Sequence, residues 1–204
     1  MSRVRTRPTR DETCDKLFEA AARVFEDQGI GGASIEAIAA AAGFTRGAFY
    51  SNFKSKDELI IAMLEDHVEQ MVRRNLDLLA QHTNIEDFLD AWKNMDRSKQ
   101  DPLGRSPLLH MEMILFVARA EKRRPELAKR LRARRKMIAD IVEIASKNGG
   151  SDGGRNAPWT GAILLALEDG FRLHRLIDPE TTPADSFQRA VIDLRRALGI
   201  IATT

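Results

Sequence analysis

The stretch Ser34–Lys56, SIEAIAAAAGFTRGAFYSNFKSK, decides how this chain is read. Ser34 is a good N-cap, Ile35, Ile38, Ala39 and Ala42 recur at helical spacing as one apolar face, and Gly43 stands where a helix ends in a left-handed residue. Thr45 can cap a second helix at once, with Phe49 and Phe53, four residues apart, anchoring its inner face. Two short helices around a tight glycine turn make a helix-turn-helix, a geometry suited to laying its second helix in the major groove of DNA. The outward face of that helix carries Arg46, Gly47, Tyr50, Ser51, Asn52 and Lys54, with Lys56 just beyond, and no acidic residue occurs from Thr45 to Lys56. An anion suits such a strip.

Composition bounds the rest. The 204 residues allow one domain or two small ones, and 43% hydrophobic content is ordinary for a globular chain that buries a core. A net charge of +2 is too small to argue nucleic-acid binding, so the distribution of charge has to carry that argument. It does: Met1 to Arg10 holds only neutral or basic residues, including Arg3, Arg5, Arg7 and Arg10, and reads as a cationic arm. The single cysteine, Cys14, excludes an internal disulfide framework and suits a reducing cytoplasm, the expected location. Apolar runs such as Ala162–Leu167 fall far short of the ~20 residues a membrane span needs, so no membrane partner is expected.

Outward from the quoted stretch, Thr9 and Glu12 form a T-x-x-E capping box for a first helix. Its buried stripe is Cys14, Leu17, Phe18, Ala21, Val24 and Phe25, and Gly29, Gly31 and Gly32 end it. Three helices then share a core of Leu17, Phe18, Val24, Phe25, Ile35, Ile38, Phe44, Phe49 and Phe53. Ser55 and Glu58 are a second capping box, opening a long helix to about Gln81 that is a candidate lever. Beyond it no strand pattern occurs. Helices are expected from Ile85 to about Arg97, from Pro107 or Leu108 to about Ala120, from Pro125 to about Lys147, from Trp159 to Ile177 and from Ala184 to Ile201. KQDPLGRSP, starting at Lys99, reads as a loop.

Ile35-x-x-Ile38-Ala39-x-x-Ala42-Gly43 followed by Arg46-Gly47-x-Phe49-Tyr50-x-x-Phe53-x-x-Lys56-x-x-Leu59 resembles the TetR family of bacterial transcriptional repressors, over about Thr9 to Met63. The resemblance implies an all-α fold, in which the pattern along the chain gives about nine helices. Residues 1–56 would hold the arm and the helix-turn-helix, and residues 57–204 an effector-binding and dimerisation domain. The family's C-terminal halves diverge, so beyond about residue 65 only this architecture is implied.

The resemblance puts Tyr50 at the DNA, its ring against sugar and its hydroxyl on a phosphate; otherwise it is a partly buried core tyrosine. Arg46 can reach guanine O6 and N7, while Ser51 and Asn52 are shorter groups for a base edge or a phosphate. Gly47 permits close approach to the duplex. Thr45, Lys54, Lys56 and the helix start behind Ser34 are expected at phosphates, with Lys56 alternatively serving the end of the recognition helix. The arm arginines either enter the minor groove or form a plain basic tail.

A single recognition helix makes few contacts, which implies a homodimer on a palindromic double-stranded operator. The last two helices are the expected interface, through Leu164, Leu167, Phe171, Phe187, Val191, Leu194 and Leu198, unless they only cover the core. For an unknown small-molecule effector the candidate lining is His67, Met71, Trp92, Met95, His110, Met111, Met113, Phe116 and Trp159, residues that serve equally as core. From Arg119 to Lys136 ten basic residues face two acids, read as a solvated helix face. The histidines form no metal pair, no nucleophile sits in a recognisable setting, and neither a metal, a cofactor nor an enzymatic activity is expected. The reading is therefore a ligand-responsive repressor released from its operator by a small molecule. The alternative is a helical small-molecule-binding or adaptor protein that does not use the motif on DNA.

Overall fold

The computed structural model describes residues 9–95, 102–148 and 157–197. Every regular element among them is helical: α1 (Arg10–Gly32), α2 (Ile35–Ala41), α3 (Arg46–Tyr50), α4 (Lys56–Ala80), α5 (Ile85–Asn94), α6 (Pro102–Arg105), α7 (Pro107–Arg119), α8 (Arg124–Asn148), α9 (Ala157–Ile177) and α10 (Ser186–Ala197), with a 3-10 turn at Glu121–Arg123. The all-α expectation holds, with one helix more than the pattern foretells. That helix, α6, lies inside the stretch expected to be a loop. Four residues are too few to show a period, and what holds them is burial of Pro102 and Leu103, with proline pre-set for a first helical turn.

Packing gathers the chain into two compact units, one taking residues up to His67 together with Gln100–Glu121, the other Val68–Lys99 with Lys122 onward. The expected boundary at residue 57 follows the end of a motif, whereas the packing passes from one unit to the other inside α4 and puts α6 and α7 with the first three helices.

In the first unit, the Thr9 capping box forms: the Glu12 amide donates to Thr9 Oγ1 at 3.2 Å and the Thr9 amide to the Glu12 carboxylate at 2.9 Å. Leu17, Phe18, Ala21, Val24 and Phe25 are buried along α1, as are Ile38, Ala39, Phe49 and Phe53 beyond it, while Cys14, Ile35 and Phe44 are half-buried. Phe53 joins rings with Phe18 and Phe49, each 5.8 Å between centroids. Gly29, at φ 71°, breaks the regular ladder of α1 before its end; a residue with a side chain is strained there. Helices α6 and α7 pack on α1, and Arg105 of α6 bonds both oxygens of Glu19 at 2.6 and 2.8 Å.

In the second unit α8 and α9 pack together at Gly161, where an added Cβ would meet the Arg135 carbonyl oxygen at 2.9 Å and the Ala139 nitrogen at 3.0 Å. Leu165 and Glu168 continue that face of α9 and are buried, with Glu168 accepting from Arg134 at 3.4 Å and Arg172 at 3.2 Å. A second cluster joins Leu79, Phe88, Leu89, Trp92 and Ile192, with Phe187 and Val191 against it. Among the described residues, no helix is long and apolar enough to cross a membrane.

Gly161→Ala sets two effects in opposition. Alanine gains about 1 kcal/mol of helix propensity, but backbone atoms on α8 cannot yield as a side chain tip can, and overpacking costs about 1–3 kcal/mol. Sterics should win, lowering the melting temperature by several degrees; a rise in thermal unfolding temperature would contradict so close an α8–α9 contact.

Candidate nucleic-acid interface

Each helix of the motif starts on a side-chain cap. Ser34 Oγ accepts from the Ala37 amide at 3.0 Å, and Thr45 Oγ1 from the Ala48 amide at 3.2 Å. Between them Gly43 takes φ 73°, the left-handed turn that glycine allows without strain. Recognition helix α3 is five residues long, with Phe49 wholly buried beneath it and Tyr50 42% exposed above it. Phe53 lies past the end of α3, yet its amide still donates to the Phe49 carbonyl at 2.9 Å, keeping the two rings together. Tyr50 is therefore a surface tyrosine, and its ring meets Phe49 edge-on at 5.7 Å.

Arg46, Gly47, Tyr50, Ser51 and Lys54 are all exposed. A Cβ added at Gly47 would meet nothing closer than Thr45 Oγ1 at 3.7 Å, so packing within the protein does not demand glycine there. Ser51 Oγ donates to the Gly47 carbonyl at 3.0 Å, which leaves its lone pairs outward. Arg46 lies over the Tyr50 ring at 5.4 Å, donates to the Tyr50 hydroxyl at 3.4 Å and pairs with Glu36 at 2.8 Å. The tyrosine bond first, then the carboxylate, raises the Arg46 pKa above its ordinary value. Glu36 is the residue that the sequence reading missed. No acid lies within the strip itself, and only the fold of α2 against α3 brings this one alongside.

Two expected DNA contacts are turned inward. Asn52 is half-buried, its amide donating to the Ala48 carbonyl at 2.9 Å and its oxygen accepting from Cys14 Sγ at 3.9 Å; its side chain serves the packing of the exit of α3 on α1. Lys56 donates to the carbonyls of Ile30 at 2.6 Å, Ala33 at 2.8 Å and Gly31 at 3.4 Å. The helix end it serves is that of α1, not that of the recognition helix. The second capping box is also altered: Ser55 Oγ accepts from the Glu58 amide at 3.1 Å, but Glu58 reaches the Lys54 amide, at 2.7 Å, one residue upstream of the cap.

The residues expected to line an effector pocket are drawn from both units. His67, His110, Met111, Met113 and Phe116 belong to the first unit, and Met71, Trp92, Met95 and Trp159 to the second. His67 and His110 are buried with ring centroids 4.5 Å apart, Met113 is fully buried, and Trp159 is 63% exposed. Trp92 meets Phe187 edge-on at 5.5 Å, so a residue assigned to the pocket and one assigned to the dimer interface are neighbours in one core cluster. A surface cleft of about 290 Å³, lined by Asp90, Lys93, Arg189, Ile192 and Asp193, involves none of the nine.

The interface residues also divide. Leu164, Leu167, Phe171, Phe187 and Val191 are half-buried, Leu194 is exposed, and Leu198 lies outside the described residues, as do Arg3, Arg5 and Arg7 of the arm. The exposed large apolar side chains of α9 are Trp159, Ile163, Leu173, Leu176 and Ile177. Trp159, Ile163, Ala166, Gly170, Leu173 and Ile177 alternate spacings of four and three. Two residues of offset from Gly161 turn this stripe about 200° away from the face on α8. Sequence reading chose the flank of the buried face, because both faces of α9 are apolar.

Residues 17–63 match the family model of bacterial regulatory proteins, tetR family. The chain is 36% identical over 86 residues to the HTH-type transcriptional regulator TtgR of Pseudomonas putida, covering 42% of this chain and 39% of that protein. It is 41% identical over 63 residues to the HTH-type transcriptional activator FasR of Mycolicibacterium smegmatis, covering 31% and 29%. These matches span well under half the length of either relative. Solved structures share the whole fold: the SmeT–triclosan complex superposes with TM-score 0.65 at 24% identity, over 93% of this chain and 94% of that one. The regulator FadR from Bacillus subtilis in complex with stearoyl-CoA gives 0.63 at 15%, over 92% and 97%.

Cys14 reports on the packing of α1 against the exit of α3. Burial pushes its thiol above the ordinary value, Arg10 pulls it back, and Asp11, Asp15 and Asp66 push it further up. The thiolate is the reactive form, so alkylation by iodoacetamide at mildly alkaline pH should run slower than for free cysteine. Asn52→Ala should speed it. A native rate equal to that of free cysteine would contradict this packing.

Proposed function

We propose, on the premise that the chain belongs to the TetR family of bacterial regulatory proteins, that it is a homodimeric transcriptional repressor whose α3 reads a palindromic operator and which a small molecule releases. The observation that carries the DNA reading is the outward set Arg46, Gly47, Tyr50, Ser51 and Lys54, exposed on and just past a helix whose inner Phe49 is wholly buried. Tyr50 and Lys54 hold phosphates, and Arg46 reads a base edge once it leaves Glu36, an exchange with little cost because exposed ion pairs are weak. Ser51 contacts a base edge or a phosphate. Ser34 and Thr45 act through the helix starts they cap.

Repression is the direction proposed, although relatives are named both as an activator, FasR of Mycolicibacterium smegmatis, and as a repressor, KstR2 of the same organism. Release by a ligand is supported by the two structural neighbours with a small molecule bound, triclosan and stearoyl-CoA. A ligand that binds one conformer more tightly shifts the population towards it, and the operator is lost if that conformer spaces the two recognition helices wrongly. Pairing of two copies is supported by the exposed α9 stripe, which runs about 27 Å from Trp159 to Ile177.

Titration of a duplex from the chain's own upstream DNA should show binding that weakens steeply with salt. Arg46→Ala should relax base preference, while Lys54→Ala should weaken every sequence alike and flatten the salt slope by about one unit. Gly47→Ala should leave the melting temperature level or higher and still weaken the duplex complex. Salt-insensitive or absent binding sinks the operator reading, and equal behaviour of the arginine and lysine variants sinks the division of roles.

Light scattering should give a dimer for the parent chain and a folded monomer for Leu173→Glu combined with Ile177→Lys. A dimer that survives both charges would remove this stripe as the interface.

A further inference from the structure

The last turn of α1 contains no basic residue, although a helix leaves its final carbonyls without partners and gathers partial negative charge there. Lys56, the first residue of α4, supplies the missing cation from 23 to 26 residues further along the chain. Its three ammonium protons meet three carbonyls, of Ile30, Gly31 and Ala33, and the side chain is half-buried. The geometry is specific to an ammonium. Three acceptors converge on one nitrogen, whereas a guanidinium spreads its five donors in a plane. At its own helix the charge is misplaced, since α4 favours acids in its first turn and has Asp57 and Glu58 there.

Ala33 adjoins Ser34, the N-cap of α2. The clamp therefore ties the start of α4 to the turn from which the helix-turn-helix departs. Gly29 has already broken the regular ladder of α1, so this turn lacks the support of a continuous helix. Lys54, two residues before Lys56, carries no such bonds from its side chain among those seen and stays exposed.

We propose that Lys56 is a positioning residue and not a phosphate contact: its ammonium clamps the α1–α2 turn to α4, setting the placement of α2 and α3 for DNA. The proposal rests on the DNA-binding reading for its effect on affinity, but the clamp itself is a property of the free protein. It also gives α4 a defined point of attachment to the motif, so displacement of the α4 start would pull on the α1–α2 turn through this ammonium.

Lys56→Met and Lys56→Arg test it together, at a temperature where circular dichroism shows both variants folded. A phosphate contact predicts that arginine preserves affinity and that methionine flattens the salt slope by about one unit, as Lys54→Ala does. A clamp predicts that both variants weaken binding by about tenfold to a hundredfold, with the parent's salt slope retained. In free protein, hydrogen exchange should accelerate at the Ala33 amide, which donates to the Gly29 carbonyl at 3.1 Å, and at the Ala37 amide. Unchanged affinity in both variants, affinity preserved by arginine, or a slope reduced by about one unit overturns the proposal. Should the methionine variant fail to fold, the arginine variant decides, since it keeps the charge and loses the geometry. If the parent binds no duplex, the operator reading fails while the exchange measurement still decides whether the clamp exists: protection unchanged in both variants refutes it.

Discussion

A five-residue recognition helix cannot support itself. Isolated helices shorter than ~12–15 residues are marginal in water, and α3 spans only Arg46–Tyr50. Its conformation is imposed by the Thr45 cap at one end and by Phe49 beneath it, whose ring is sealed by Phe53 and, through it, by Phe18 of α1. Full burial of a phenylalanine side chain contributes about 1.5–3 kcal/mol, which exceeds anything five residues gain from backbone bonding alone. The long α1 serves as a wall for that aromatic seat through Phe18. This is why the inner face of the motif tolerates so little while its outer face is free to carry whatever side chains the ligand requires.

Charge in the first unit is arranged by helix ends as much as by the outward strip. Lys56 answers the carbonyl end of α1, Glu58 answers a free amide at Lys54, and Glu19 holds the guanidinium of Arg105. A cation held by three carbonyls is not available to a phosphate without breaking bonds that the solvent would have to replace. A cation parked on an exposed carboxylate, as Arg46 is on Glu36 with both side chains more than half exposed, exchanges partners cheaply. The strip that looks uniformly basic in sequence thus contains three kinds of positive charge: fixed inward at Lys56, exposed outward at Lys54, and poised at Arg46.

What sequence made legible was local. Caps at Thr9, Ser34 and Thr45, the left-handed Gly43, the apolar periods of α1 and α4 and the helical composition of the remainder depend on residues within one or two turns of each other, and all appear in the structure. What it hid was set by partners far along the chain. Asn52 looks like a surface polar residue until Cys14, 38 positions earlier, is placed beside it. Trp92 and Phe187 share a cluster although nothing in either segment names the other. The helix α6 shows no period because one turn contains none; only the burial of Leu103 reveals why it forms.

Helix α9 shows the same limit from the other direction, since its pattern was visible and its polarity was not. An apolar residue at nearly every position announces burial on more than one side but does not say which side meets its own chain. The close approach does. Gly161 is the position where a side chain is forbidden by backbone atoms of α8, so the face containing it is spoken for, together with Leu165 and the paired Glu168. The stripe of Trp159, Ile163, Leu173 and Ile177, about 200° around the helix, is exposed and is the face proposed for a second copy. Its alternating spacing of four and three is the seam by which a slightly supercoiled helix meets a helical partner. A recognition surface of five outward side chains makes few contacts, so selective binding needs a second set at a fixed distance. On the proposed reading, a second copy seated on this seam would supply that set with the symmetry a palindrome requires.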